Sequence, residues 1–180
     1  GNSFGGVVVR ILLGKSEVSE VLSDFTELCM KLLVDHGPYQ SAVVNTMVAA
    51  RANKDLVSSL AAGLLTIGDR FGGAINGAAK TWFTAAESAQ EPGVMVESFA
   101  ARKEYILGIG HRKYRVGMPD PRFEKLLEFR QRLKEAKYTS YALEVAKITS
   151  AKKANLILNV DGVLASLLLD ILAEQEGYSA

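Results

Sequence analysis

Apolar residues recur at three- and four-residue steps in one segment of this chain after another, which is the spacing of helices that bury one face. The clearest stripe lies between Val18 and Val34, where Ser16 is the predicted N-cap and acidic residues follow it near the positive end of the helix dipole. The helix should end at Asp35-His36-Gly37-Pro38, because glycine and proline both terminate helices. Its buried face comprises Val21, Leu22, Phe25, Leu28, Cys29 and Leu32.

The same spacing predicts further helices along most of the chain, so the sequence indicates an all-α fold in one domain spanning residues 1–180. The run Leu156–Leu158 fits either a short strand or a buried helical segment, and Gly108–Pro121 is the longest irregular stretch. In a helical scaffold, the loops are where chemistry is expected. The predicted helices are Ala42–Arg51, a segment capped by Asp55, Ala74–Ser88, Met95–Ile106, Arg122–Lys137, Tyr141–Ile148 and a last helix with Leu164, Leu168, Ile171 and Leu172.

The composition of the chain argues against several classes of binding partner. A formal net charge of +1 over 180 residues gives no field that would attract nucleic acid or an anionic membrane. The apolar segment Leu156–Leu172 is interrupted by Asp161 and Asp170, so we expect no membrane span. Cys29 is the single cysteine, which excludes an internal disulfide and fits a reducing compartment. We see no signal peptide and expect a cytoplasmic location.

Three residues are candidates for proton transfer: His36, His111 and Asp161. Both histidines follow a helix and stand beside glycine, which lets a ligand approach the backbone closely. Asp161 is flanked by apolar residues, so it should have a raised pKa or a dedicated hydrogen-bond partner. The alternatives are surface or capping histidines and an aspartate that caps the last helix.

Cations gather near these residues. Arg112 directly follows His111, Arg122 comes eleven residues after it, and Lys152 and Lys153 precede Asn155. Such clusters suit substrates with several carboxylates or phosphates, although a solvated charged face has the same composition. Gly14-Lys15-Ser16 lacks the leading glycine of a phosphate-binding loop, so the sequence gives no nucleotide site there.

Taken together in their order, the motifs resemble the citrate synthase homology region of ATP-citrate lyases, over nearly the whole chain from about Gly5. Several long matches in one register are more specific than any single motif. The matching segments are Asp35–Pro38, Asp55–Leu60, Gly63–Ala74, Gly108–Arg112, Tyr141–Val145 and Asn155–Gly162.

This resemblance implies the mostly helical citrate synthase fold and retro-Claisen cleavage of citryl-CoA into acetyl-CoA and oxaloacetate. His111 would accept or share the proton of the citryl hydroxyl, and Asp161 would protonate the enolate carbon. His36 would take part in the chemistry and hold a substrate carboxylate. Carboxylates would also contact Arg112 and Arg122. Coenzyme A would lie against Gly108, Ile109, Gly110, Lys152, Lys153 and Asn155.

Two departures from the family pattern matter. Citrate synthases carry a further histidine in the loop aligned with Ala74–Gly77, and its absence here favours the lyase branch. Relatives also continue beyond Ala180 into a segment with more carboxylate-binding arginines, so the chain resembles an incomplete part of the module and could be inactive alone.

The remaining expectations also come from the resemblance. ATP and magnesium would bind only in parts of the parent enzyme outside this chain, in ATP-grasp or succinyl-CoA synthetase-like domains. The parent fold implies a homodimer or homotetramer. A free-standing citryl-CoA lyase, a citrate synthase and a segment serving mainly oligomer assembly remain alternatives. No metal site is expected within the chain.

Overall fold

The computed structural model describes residues 3–35, 37–69 and 72–176, and in these ranges the chain is helical with no β-strand. Only isolated backbone bridges occur, one of which pairs Ile109 with Leu158. The all-α prediction is therefore confirmed. The helices are α1 (Phe4–Leu13), α2 (Glu20–Leu33), α3 (Ser41–Arg51), α4 (Leu56–Leu64), α5 (Ala74–Glu87), α6 (Pro92–Arg102), α7 (Pro121–Glu128), α8 (Lys137–Lys152) and α9 (Val160–Glu176).

Several predicted boundaries were wrong for local reasons. Helix α1 was not predicted; its N-cap, Ser3, accepts a hydrogen bond from the Gly6 amide. The cap of α2 is Ser19 rather than Ser16. The predicted helix Arg122–Lys137 is α7 followed by a 3-10 turn at Phe129–Arg132, and α8 then runs well beyond the predicted Tyr141–Ile148. The Asp55 cap is confirmed.

The core lies between α5, α8 and α9, with α2, α6 and α7 packed around them. Trp82 of α5 and Ile171 of α9 are fully buried, and the Phe25 and Phe129 rings meet with centroids 5.1 Å apart. Cys29 packs against this core, and burial raises the pKa of its thiol to about 12. No described helix is both long enough and apolar enough to cross a membrane.

Helices α3 and α4 form a hairpin that packs on itself and makes no extensive contact with the other described helices. The amide of Asn45 donates to the carbonyl of Ala62 across this hairpin (2.6 Å). Gly63 lets the helices approach, because a Cβ there would lie 2.9 Å from the carbonyl oxygen of Ala42. The hairpin presents apolar side chains outward: Val43, Val44, Met47, Val48, Leu56, Val57, Leu60, Leu64 and Leu65.

Candidate active site

The loop that carries His111 is paired with the segment that leads into α9. The Gly110 amide donates to the carbonyl of Ile157 (2.7 Å), and the His111 amide donates to the carbonyl of Asn155 (3.0 Å). Gly108 and Gly110 have φ angles of 88° and 101°, which favour glycine. The run Leu156–Leu158 is therefore neither a full strand nor a helix: it is a short irregular segment that pairs with the His111 loop.

Backbone amides fix the orientation of the His111 ring. Its Nδ1 accepts hydrogen bonds from the amides of Lys113 and Tyr114, both at 3.0 Å. In the neutral imidazole an accepting Nδ1 places the proton on Nε2. The Tyr114 ring lies against it, with centroids 4.7 Å apart. The neutral ring therefore offers an Nε2–H donor to a bound molecule.

Asp161 lies in the first turn of α9, where a carboxylate interacts favourably with the helix dipole. It is half-buried. The alternative that Asp161 caps the helix was wrong, because the helix begins at Val160 and the side chain of Asn159 accepts from the Gly162 amide (3.0 Å). Since Asn159 serves as the cap, the carboxylate of Asp161 is not needed for that role.

The His111 loop and the start of α9 touch through backbone atoms. A Cβ added to Gly108 would lie 2.7 Å from the Cα of Gly162, and one added to Gly162 would clash with the Gly108 carbonyl. Because side chains at these two positions would force the segments apart, glycine at both keeps the neighbourhoods of His111 and Asp161 in direct contact.

Arg122 is held by a buried carboxylate. Asp120, which is 3% exposed, accepts from Nε (3.1 Å) and Nη2 (2.7 Å) of Arg122 and also caps α7. Burial alone would raise the pKa of Asp120, but the hydrogen bonds and charge of Arg122, with a smaller contribution from His111, lower it. The ion pair fixes the plane of the guanidinium, which suits bidentate recognition of a carboxylate.

The Arg122–Asp120 pair lies within electrostatic reach of both candidates. The charge of Asp161 acts on Arg122, and that of His111 acts on Asp120. The structure thus packs the His111 loop against the start of the Asp161 helix, with the Arg122–Asp120 pair nearby. His36, the fourth predicted residue, lies outside the described residues.

The predicted coenzyme A residues lie along the same loop pair. The Asn155 side-chain amide donates to the carbonyl of His111 (3.2 Å), while its Oδ1 is buried and has no hydrogen-bond partner in the described structure. Lys152 ends α8, Lys153 follows it, and both are exposed, as is Arg112.

Sequence reasoning missed three residues that shape the site: Tyr114, Asp120 and Asn159. The pattern Asp120-Pro121 is a recognisable helix start, with the cap followed by proline, so Asp120 could have been assigned as a cap. Tyr114 acts on His111 through its backbone amide and a ring contact three residues away, for which the sequence has no specific motif. The bond from Asn159 to Gly110 joins positions 49 residues apart and leaves no local signal.

A cavity of about 460 Å³ is lined in part by Asp120, and none of the predicted catalytic or binding residues lines it. Arg115, Phe123, Leu143 and Leu158 contribute to its walls. Within the described ranges, no three histidine, cysteine, aspartate or glutamate side chains are grouped as a metal site would require.

Curated relatives resemble the chain over most of its length. The probable ATP-citrate synthase of Caenorhabditis elegans is 47% identical over 171 residues, which are 93% of this chain and 16% of that protein. The chain therefore spans about a sixth of that relative.

Solved structures of similar proteins also match the chain over most of its length. ATP citrate lyase from Methanothrix soehngenii, in complex with citrate and coenzyme A, matches with a TM-score of 0.92 and 40% identity over 98% of this chain and 29% of that one. Citryl-CoA lyase from Hydrogenobacter thermophilus matches with a TM-score of 0.82 and 28% identity, covering 94% of this chain and 66% of that one. The citrate synthase C-terminal domain model matches residues 2–177, and the chain belongs to the citrate synthase family.

Proposed function

We propose that residues 1–180 are part of a citryl-CoA lyase domain that cleaves citryl-CoA to acetyl-CoA and oxaloacetate within an ATP-citrate lyase. The observation that carries this proposal is that the His111 loop is hydrogen-bonded to the segment leading into the Asp161 helix, with the charge of Asp161 acting on Arg122. The two similar structures, an ATP citrate lyase with citrate and coenzyme A bound and a citryl-CoA lyase, support the same substrate class.

Cleavage requires a proton to leave the citryl hydroxyl while the carbon–carbon bond breaks and its electrons move into the thioester. Because Nδ1 of His111 already accepts two amides, the neutral ring donates its Nε2–H to the hydroxyl oxygen and stabilises the negative charge that develops there. The hydroxyl proton passes to the carboxylate of Asp161. Asp161 supplies the proton that converts the enolate carbon to the methyl group of acetyl-CoA.

Substrate binding uses the surrounding polar groups. Arg122, oriented by Asp120, takes a citryl carboxylate, with Arg112 and His36 as further contacts. Coenzyme A lies along Gly108–Gly110, where the exposed Lys152 and Lys153 attract phosphates. Asn155 supports this stretch through its hydrogen bond to the carbonyl of His111.

The test is citryl-CoA cleavage by the full-length protein that contains this chain. We expect His111→Ala and Asp161→Asn each to reduce kcat by about 10²–10⁴-fold, the usual contribution of acid–base groups. Matched controls are Lys31→Ala and Asp24→Asn, which alter exposed ion pairs of α2 and should leave kcat unchanged. Parental turnover in either His111→Ala or Asp161→Asn would refute the assigned role.

Direction needs a separate assay, because a lyase and a synthase share these groups. Offering citryl-CoA alone, and then acetyl-CoA with oxaloacetate, compares cleavage with condensation. We expect cleavage to dominate, and faster condensation would instead favour the citrate synthase alternative. Activation of citrate by ATP and magnesium belongs to the ligase domains of the parent enzyme. We also propose that the enzyme is located in the cytoplasm.

We also propose that the α3–α4 hairpin mediates assembly into a homodimer or homotetramer. Its outward apolar surface includes Leu56 (83% exposed) and Leu65 (86% exposed), and contiguous apolar surface of this kind marks interaction sites. We take a second copy of the chain as the partner, because the charged residues of the hairpin, Arg51, Lys54 and Asp55, cluster where its two helices join.

Assembly is measured by sedimentation of the full-length protein. The double variant Val57→Asp and Leu60→Asp should dissociate the oligomer, since it buries unpaired charge in the interface. Val94→Asp, at a similarly exposed apolar position on α6, is the control and should leave the oligomer intact. An oligomer that survives the double substitution would contradict this proposal.

A further inference from the structure

We propose that Asn159 is a positioning residue whose side-chain amide holds the His111 loop and the Asp161 helix at a fixed separation. This inference rests on the proposed function, since it concerns the spacing of the two groups that carry the chemistry. Asn159 itself precedes α9 and need not touch the substrate.

The amide connects the two segments directly. Nδ2 of Asn159 donates to the carbonyl of Gly110 (2.9 Å), and Oδ1 accepts from the amide of Gly162 (3.0 Å). Gly110 immediately precedes His111, and Gly162 immediately follows Asp161. One planar group therefore bridges the neighbours of both catalytic residues.

The backbone of Asn159 reinforces the bridge. Its amide donates to the carbonyl of Gly108 (2.9 Å), and its carbonyl accepts from Val163 in the first turn of α9 (3.0 Å). With the side chain included, Asn159 makes four hydrogen bonds, two to the loop and two to the helix. The backbone pair would survive most substitutions, so the side chain can be tested separately.

Only a carboxamide meets both demands at this position. The Gly110 carbonyl requires a donor and the Gly162 amide requires an acceptor, which also fixes which atom of the side chain is nitrogen. Serine remains a good helix cap but is too short to bridge to Gly110. Aspartate keeps the acceptor but would direct a carboxylate oxygen at the Gly110 carbonyl.

Losing the bridge should misplace the reacting groups more than it unfolds the protein. A displacement of about 1 Å in catalytic geometry can cost about 10²-fold in rate. We therefore expect Asn159→Ser to lower kcat by about 10- to 100-fold with KM for citryl-CoA little changed, because the binding cations remain in place.

The experiment compares Asn159→Ser with Ser19→Ala in the full-length protein, measuring kcat, KM and the thermal midpoint. Ser19 caps α2, and its removal should lower the midpoint while leaving kcat unchanged. Asn159→Ser should lower kcat while leaving the thermal midpoint nearly unchanged. Parental kcat in Asn159→Ser, or a loss of kcat no greater than that in Ser19→Ala, would overturn the inference.

Two further measurements separate this inference from the proposed function. His111→Ala, assayed in parallel, tests the chemistry itself; if it keeps full activity, the proposed function fails whatever Asn159 does. A crystal structure of Asn159→Ser tests the geometry without any assay. The loop should move relative to α9, and an unchanged separation between Gly110 and Gly162 would overturn the positioning role.

Discussion

The α3–α4 hairpin and the α5–α8–α9 bundle are both built from helices rich in alanine, leucine and valine, yet they use these residues in opposite ways. In the bundle, Trp82, Leu167 and Ile171 are completely buried against neighbouring helices. In the hairpin, α3 has no buried residue and α4 buries only Ser59 and Gly63. An apolar stripe therefore reveals that a helix has a partner, but not whether the partner lies in the same chain.

Among the tests of this contrast, removal of the largest core side chain should change the free energy of unfolding most. We expect Trp82→Ala to lower the free energy of unfolding by about 3–5 kcal/mol, because it removes a buried aromatic group and leaves a cavity. Chemical denaturation of the full-length protein measures it. A loss below about 1 kcal/mol would mean that the bundle repacks freely and is less specific than its burial indicates.

A substitution inside the hairpin should have an intermediate and local effect. Gly63→Val places a side chain against Thr46 and the Ala42 carbonyl, and such overpacking costs about 1–3 kcal/mol. Hydrogen exchange should show lost protection in α3 and α4 alone. If α5 and α9 lose protection equally, the hairpin and the bundle form one cooperative unit.

Surface truncation should have a smaller effect still. Leu65→Ser, at a position 86% exposed, should change the free energy of unfolding of the isolated subunit by no more than about 0.5 kcal/mol. Chemical denaturation at a protein concentration too low for the subunits to associate measures this change. A larger loss would show that the hairpin surface is already covered within one subunit.

Lowering the pH should reduce the stability of the hairpin and favour the folded state of the bundle. Hydrogen bonds from Ser58 lower the pKa of Asp55, the cap of α4, below its ordinary 3.8, so its stabilisation is complete above 3.8 and is lost as the pH falls through the lowered value. Burial raises the pKa of Asp170 in α9, so protonation there favours the folded state as the pH falls toward 3.8. Hydrogen exchange between pH 5 and pH 3 should show α4 losing protection before α9, and simultaneous loss would contradict this.

The sequence allowed the helical class to be predicted, because periodic apolar residues are a local signal. The roles of His111, Asp161 and Arg122 stay predictions, although the structure packs the His111 loop against the start of α9, which carries Asp161. The long predicted helix over Arg122–Lys137 was wrong because its charged residues continue a helical pattern through a 3-10 turn at Phe129–Arg132.

Other features depended on distant contacts. Asn159 reads as one more polar residue before a helix, and its bond to Gly110 links positions 49 residues apart. The sequence also could not predict that the α3–α4 hairpin packs apart from the core. Its apolar residues have the same spacing as those of a buried helix.

The two amides that hold His111 Nδ1 belong to the main chain, and this determines which changes nearby the enzyme can accept. Residues 113 and 114 can exchange their side chains without releasing the ring, since every amino acid but one supplies the same N–H. Proline is the exception at both positions, because it would remove the donor and let the imidazole rotate. The side chains of the loop can thus vary in chemical character while the imidazole of His111 keeps its orientation.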